Sequence, residues 1–155
     1  MSVSVGQKER ETQKRVVKLF LKKLKYDYLG FWKDRKGNSN IEEDVLRQYL
    51  LKECGYTETI VSRALFEFRK AAEDSTKSLY DRNSAVYELL RYGVKVREGV
   101  GDYTETVWLI NWKEPHKNQF AIAEEVTVAP ANPQAHGKRP DIVLYVTVLP
   151  WGYWN

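Results

Sequence analysis

Apolar positions recur at helical spacing through the first half of the chain and as alternating or unbroken runs through the second. From residue 7 to about 29, Val17, Phe20, Leu21, Leu24 and Tyr28 follow an i, i+3, i+4, i+7 pattern, with Lys14, Lys18, Lys22 and Lys25 opposite. That spacing predicts one amphipathic helix. Residues 31–40 read as a polar loop with an aromatic start. Asn40 followed by Glu43 reads as an N-cap and its capping-box partner. A second helix is predicted over 41–54, striped by Ile41, Val45, Leu46, Tyr49 and Leu50 and stopped by Gly55. Thr57 caps a third, apolar at Ile60, Ala64, Leu65, Phe68 and Ala72. After a polar break at 74–78, a fourth helix spans 79–92 and stops at Gly93.

Helical spacing then ceases. Val94-Lys95-Val96 reads as a short strand, 98–103 as a turn with two glycines, and 104–112 as a longer strand. A loop at 114–118 leads to a strand over 119–128. There Phe120, Ile122, Glu124, Val126 and Val128 share one face by the period of two, and Ala121, Ala123, Glu125 and Thr127 the other. Residues 129–138 form a proline-rich loop. The run Ile142-Val143-Leu144-Tyr145-Val146 is unbroken and rich in β-branched residues, as in a strand buried on both faces. Pro140 suits only the start of such a strand, where the missing N–H costs least. Residues 149–152 read as a turn, which leaves the sheet short of a neighbour beyond this strand. Helices first and strands afterwards predict an α+β protein: N-terminal helices packed on a mixed sheet from the C-terminal half. The chain reads as a single domain over 1–155, with 1–6 and 149–155 as loose ends.

The length of 155 residues and 43% apolar content suit a folded domain with a real core. The 25 Lys+Arg against 21 Asp+Glu give a net charge of +4, compatible with nucleic acid without specifying it. A lone Cys54 excludes an internal disulfide and a multi-cysteine zinc site, and reads as a small buried side chain. No signal peptide or long apolar span is evident, so the expected setting is the cytoplasm, with no membrane partner. No glycine-rich phosphate cradle and no Ser-His-Asp or Cys-His arrangement is present. His116 and His136 both fall in loops.

Four carboxylates remain as candidates for chemistry. Asp141 stands at the mouth of the buried strand, where a carboxylate needs a cation or hydrogen bonds to offset its desolvation. A divalent metal would serve; so would solvent, or an ion pair with Arg139. Glu9 lies about 20° around the first helix from both Val16 and Phe20 and points along its apolar side, whereas Glu11 falls about 20° from Lys18 and Lys22 and faces water. The helix dipole alone would favour an acid here. Glu124 and Glu125 close the set. A helix acid beside a central strand that begins with Asp is one way to gather oxygen ligands for Mg²⁺, which activates water and stabilises the leaving oxygen of a phosphodiester.

Arg139-Pro140-Asp141-Ile142-Val143-Leu144-Tyr145-Val146 resembles the first half of the PD-(D/E)XK nuclease motif. More narrowly, it resembles the form near the N-terminus of the R subunit of type I restriction-modification enzymes. The stretches Glu9-Arg10-Glu11-Thr12-Gln13, Leu89-Leu90-Arg91-Tyr92-Gly93-Val94, Trp112 through Phe120, and Glu124-Glu125-Val126-Thr127-Val128 agree in order and spacing. The resemblance implies a restriction-endonuclease-like fold and Mg²⁺-dependent cleavage of duplex DNA, beside ATP-driven motor domains absent here. It implies methylation and specificity subunits as partners. Carried over, Asp141 and Glu9 are the catalytic, metal-binding pair, with Glu124 and Glu125 as further candidates. The family strand ends in Asn-Gly, then Leu-Pro-x-Gly, then Glu-x-Lys. This chain has Thr147-Val148, then Leu149-Pro150-Trp151-Gly152, with the Glu position at or near Asn155 and no place for the Lys. The expectation is a truncated nuclease domain, inactive alone. The alternative is a non-catalytic module that docks other subunits or binds DNA.

Overall fold

The first helix stops well before the predicted boundary, and a strand follows at once. In the computed structural model, which describes residues 5–38, 42–128, 136–147 and 149–154, α1 spans Val5–Lys22 and β1 spans Asp27–Phe31. Lys25 adopts φ 60°, and the N–H groups of Leu24 and Tyr26 fold back onto the carbonyls of Leu19 and Phe20. This satisfies the carbonyls left over at a helix end, a task usually given to glycine. Tyr28, expected in the helical stripe, therefore belongs to a strand.

The chain forms two compact units, Met1–Glu42 with Gln119–Asn155, and Glu43–Asn118. The first unit holds a four-stranded mixed sheet in the order β1-β4-β5-β6, with β4 at Phe120–Glu124, β5 at Ile142–Val146 and β6 at Leu149–Trp154. β1 runs parallel to β4; the other pairs are antiparallel. The fold is thus α+β with a mixed sheet, as expected, and β5 lies inside it. Its missing neighbour is β6, which occupies the stretch expected to be a turn and a loose end. Pro150 is tolerated because β6 is an edge strand, and the register shifts between Leu144 and Tyr145 where Pro150 pairs. Val146 pairs with Leu149, and Thr147 opens the turn between them. Such two-residue hairpins favour Asn-Gly because they need positive φ. Thr147 takes φ 50° here, fully buried, with its N–H on the Gln119 carbonyl at 2.6 Å. Val148 lies outside the described residues.

Period-two alternation divides the sheet's apolar residues. Ile122 and Ile142 face α1 and pack with Val17, flanked by Val16, Phe20, Leu21 and Leu144. Ala121, Ala123, Val143 and Tyr145 form the opposite face with Leu29 and Trp32. The expected alternation fails after Glu124. Glu125 sits at φ 52°, which ends the strand and reverses the phase, so Val126 and Val128 join Ala121 and Ala123 instead of Ile122.

The second unit is built around α3 (Glu58–Glu73), with α2 (Glu43–Lys52), α4 (Leu79–Tyr92) and a two-stranded ladder of β2 (Val94–Val96) and β3 (Glu105–Val107). Leu46, Tyr49, Leu50, Ile60, Val61, Leu65 and Phe68 fill its core with the ladder's valines. The predicted cap at Asn40 lies outside the described residues. Cys54 falls beyond the end of α2 and is exposed, not buried as expected. The strand expected over 104–112 ends at Val107, because Tyr56 Oη accepts the Trp108 N–H and the Trp112 indole donates to the Leu90 carbonyl. At α3 the cap is as predicted: Thr57 Oγ1 accepts the Ile60 N–H at 3.3 Å. Thr57→Ala should lower stability by about 1 kcal/mol while Thr57→Ser keeps most of it, read as the shift in urea midpoint at constant slope.

Candidate functional site

The mouth of β5 is held by its backbone and leaves its acid exposed. The Asp141 carbonyl accepts the Glu125 N–H at 2.9 Å, and the Pro140 carbonyl accepts the Val126 N–H. The turn at Glu125 thereby clasps the two residues that open β5. The Asp141 side chain is exposed.

α1 reaches the same point through Gln13, not through a carboxylate. Gln13 Nε2 donates to Glu124 Oε2 at 3.0 Å and to the Asp141 carbonyl at 3.3 Å. From β1, Tyr28 Oη donates to Glu124 Oε1 at 2.9 Å. Burial first, then this hydrogen bond and the neighbouring charge, push the Tyr28 hydroxyl above its usual range. Glu125 is held by Arg139 at 2.9 Å. The expected alternative of Arg139 pairing with Asp141 is thus replaced by a pair with Glu125.

Glu9 lies one helical turn before Gln13 and is exposed, although its phase follows Val16 and Phe20. The reason is extent: the packing of α1 on the sheet begins around Val16 and Val17, and the first turns reach past it. The structure thus brings Gln13, Glu124, Glu125 and the opening of β5 together and leaves Glu9 and Asp141 as exposed carboxylates. His116 and His136 are exposed too.

Arg10, Lys14, Lys33 and Arg139 line a cleft of about 420 Å³ with Gln13, Glu124, Glu125 and Phe31. With Arg139 paired to Glu125, three cations stand against the single charge of Glu124, which makes the cleft attractive to anions. Reading the sequence missed Gln13 and Tyr28. For Gln13 a signal existed: it stands four residues from both Glu9 and Val17, on one helix face.

Among the described residues, no three side chains of His, Cys, Asp and Glu come together to cage a metal. Magnesium asks for less, taking one or two carboxylates and keeping several waters. Among the described residues, Asp141 and Glu9 are exposed carboxylates with no hydrogen bond or ion pair, the condition such a ligand needs. Glu124 fits it poorly, because both its oxygens accept hydrogen bonds, and Glu125 less well than a free acid, because Arg139 holds its Oε2. Among the described residues no helix is long and apolar enough to cross a membrane.

What the geometry defines is an α+β protein with an anion-attracting cleft and a free carboxylate at the mouth of a central strand. The chain belongs to the family described as the type I restriction enzyme R protein N terminus, which matches residues 6–153. No curated protein and no solved structure matches it.

Proposed function

We propose that this chain carries part of the DNA-cleaving site of a type I restriction enzyme R subunit, with Asp141 as the principal metal-binding carboxylate and Glu9 as its partner from α1. Support comes above all from Gln13, which ties α1 to the opening of β5 and so brings the helix that bears Glu9 to the strand mouth that bears Asp141. The cationic cleft beside them suits the phosphates of duplex DNA, for which salt-sensitive contacts are the general currency of binding.

In this reading Arg10, Lys14 and Lys33 hold the DNA backbone against the cleft. Gln13 and Tyr28 fix the Glu124 carboxylate in place, and Arg139 offsets the charge of Glu125. Asp141 and Glu9 would hold Mg²⁺, which when bound supplies charge stabilisation and a more acidic water. No Glu-x-Lys occurs anywhere in the 155 residues. The proposal therefore includes an isolated chain that binds metal and DNA without nicking it. In the assembled enzyme the partners would be the methylation and specificity subunits.

Manganese titration by calorimetry tests the pair. Wild-type chain should take up the ion, and Asp141→Ala and Glu9→Ala should each weaken uptake by roughly tenfold or more, in the range expected for loss of one ligand's support. Equal affinity in all three proteins would sink the assignment. In a plasmid-nicking assay with Mg²⁺ the chain should leave supercoiled DNA intact.

A further inference from the structure

The second unit carries a larger cavity, about 880 Å³, that takes no part in the site described above. Its walls are unusual in composition. Tyr49, Tyr56, Tyr92, Trp108 and Trp112 supply five aromatic rings, while Ile110 is the one aliphatic residue among those that line it. Grooves that receive a peptide helix are typically apolar, and promiscuous ones use flexible methionines. Rings bordered by cations are what single-stranded nucleic acid uses, bases stacking on the rings and phosphates meeting the charges.

The charges fit the same ligand. Arg91, Lys113 and Lys117 line the cavity against Glu53 and Glu114, and Glu114 is already held by Lys117 at 2.6 Å. The Lys117 ammonium, through its hydrogen bond and its charge, keeps the Glu114 carboxyl below its usual range. The remaining balance is two cations to one acid. Arg91 also lies over the Trp112 ring, 5.4 Å from its centroid.

The wall is rigid as well as aromatic. Buried Asn118 accepts the Asn111 N–H at 2.8 Å and donates to the carbonyls of Asn111 and Pro115. Trp112 is anchored to α4 through Leu90, and Tyr56 takes the Trp108 N–H. These bonds hold the 108–118 segment as a wall, the first part of which, to Trp112, the sequence would have continued as a strand. Tyr92 and Trp108 keep 64% and 41% of their surface accessible, which leaves ring surface for a ligand.

We infer that this cavity binds single-stranded nucleic acid, taking bases between Tyr92 and Trp108 and phosphates on Arg91 and Lys113. It uses none of the carboxylates at the mouth of β5, so it stands or falls apart from them.

The test is tryptophan fluorescence of the full chain titrated with an oligothymidylate about ten nucleotides long, a length within the usual range of single-strand sites. Quenching is expected, weakening with salt. Trp108→Ala and Tyr92→Ala should each weaken binding roughly tenfold, the range for loss of one stacked base. Trp108→Phe should restore most of it, and circular dichroism should show each variant folded. A duplex of the same length should bind more weakly and be indifferent to these changes. Absence of quenching at low salt, or binding unchanged in both alanine variants, overturns the inference and leaves the cavity to a polypeptide ligand. Metal uptake, read separately, should be the same in all of them.

Discussion

Tyr145→Ala should cost the first unit about 3–5 kcal/mol, the usual loss for truncating a large buried aromatic. Tyr145 is 1% exposed, on the strand with a hydrogen-bonded neighbour on either side. Its ring meets Trp32 with centroids 5.8 Å apart and packs among Ala121, Ala123 and Val143. Ala121, Ala123 and Val143 are small and fixed in the sheet, so they fill little of the space and much of the cavity term is retained. Since whole domains are stable by only about 5–15 kcal/mol, much of the sheet's margin would go. Urea unfolding followed by circular dichroism measures it. Tyr145→Phe keeps the ring and should lose about 1 kcal/mol, the net worth of a hydroxyl's bonding. A loss under about 1 kcal/mol for the alanine variant would mean that the ring does not organise this face.

Gly93→Ala should cost about 2–4 kcal/mol, from backbone strain and overpacking together. Gly93 ends α4 at φ 78° and ψ 165°, a region that only glycine enters easily. A methyl group there would lie 2.5 Å from Thr106 Cγ2 and 3.1 Å from the Val107 carbonyl oxygen. The threonine methyl belongs to a stiff β-branched side chain, and the carbonyl belongs to the β2–β3 ladder, so neither yields cheaply. Gly101 provides the comparison: its φ is also positive, at 92°, but nothing lies within 4 Å of an added methyl. Gly101→Ala should show the backbone cost alone. If the two substitutions destabilise equally, the clash is not felt and α4 can pivot on its end.

Local signals made some elements readable and tertiary ones hid others. The α3 cap at Thr57, the whole span of α4 and its stop at Gly93 follow from side-chain chemistry within a few residues. β5 was legible because a run without polar residues has only an interior position to occupy. β1 was not, because its aromatic residues continue the phase of α1 and the break comes from Lys25, a residue with no propensity for positive φ. The same holds at Glu125, where an ordinary glutamate reverses the sheet's inside and outside. β6 was hidden by Pro150 and Gly152, which read as a turn until a partner strand exists to make them an edge. At the site, periodicity located Asp141 at a strand mouth. It did not reveal that Gln13 would make the link between α1 and that mouth, since helix docking depends on which turn meets the sheet.

One consequence follows from the parallel pairing of β1 with β4. Parallel neighbours require a crossover of a dozen residues or more, commonly a single helix. Here the crossover contains Glu43–Asn118, a folded body with its own core. It is a guest whose entry and exit are both tethered to adjacent strands of its host. Closing a longer loop costs only about 0.6 kcal/mol for each doubling of length. The host sheet can therefore accept guests of very different size between the same two strands, and the guest is free to diverge or be exchanged while the strand order around Asp141 stays as it is.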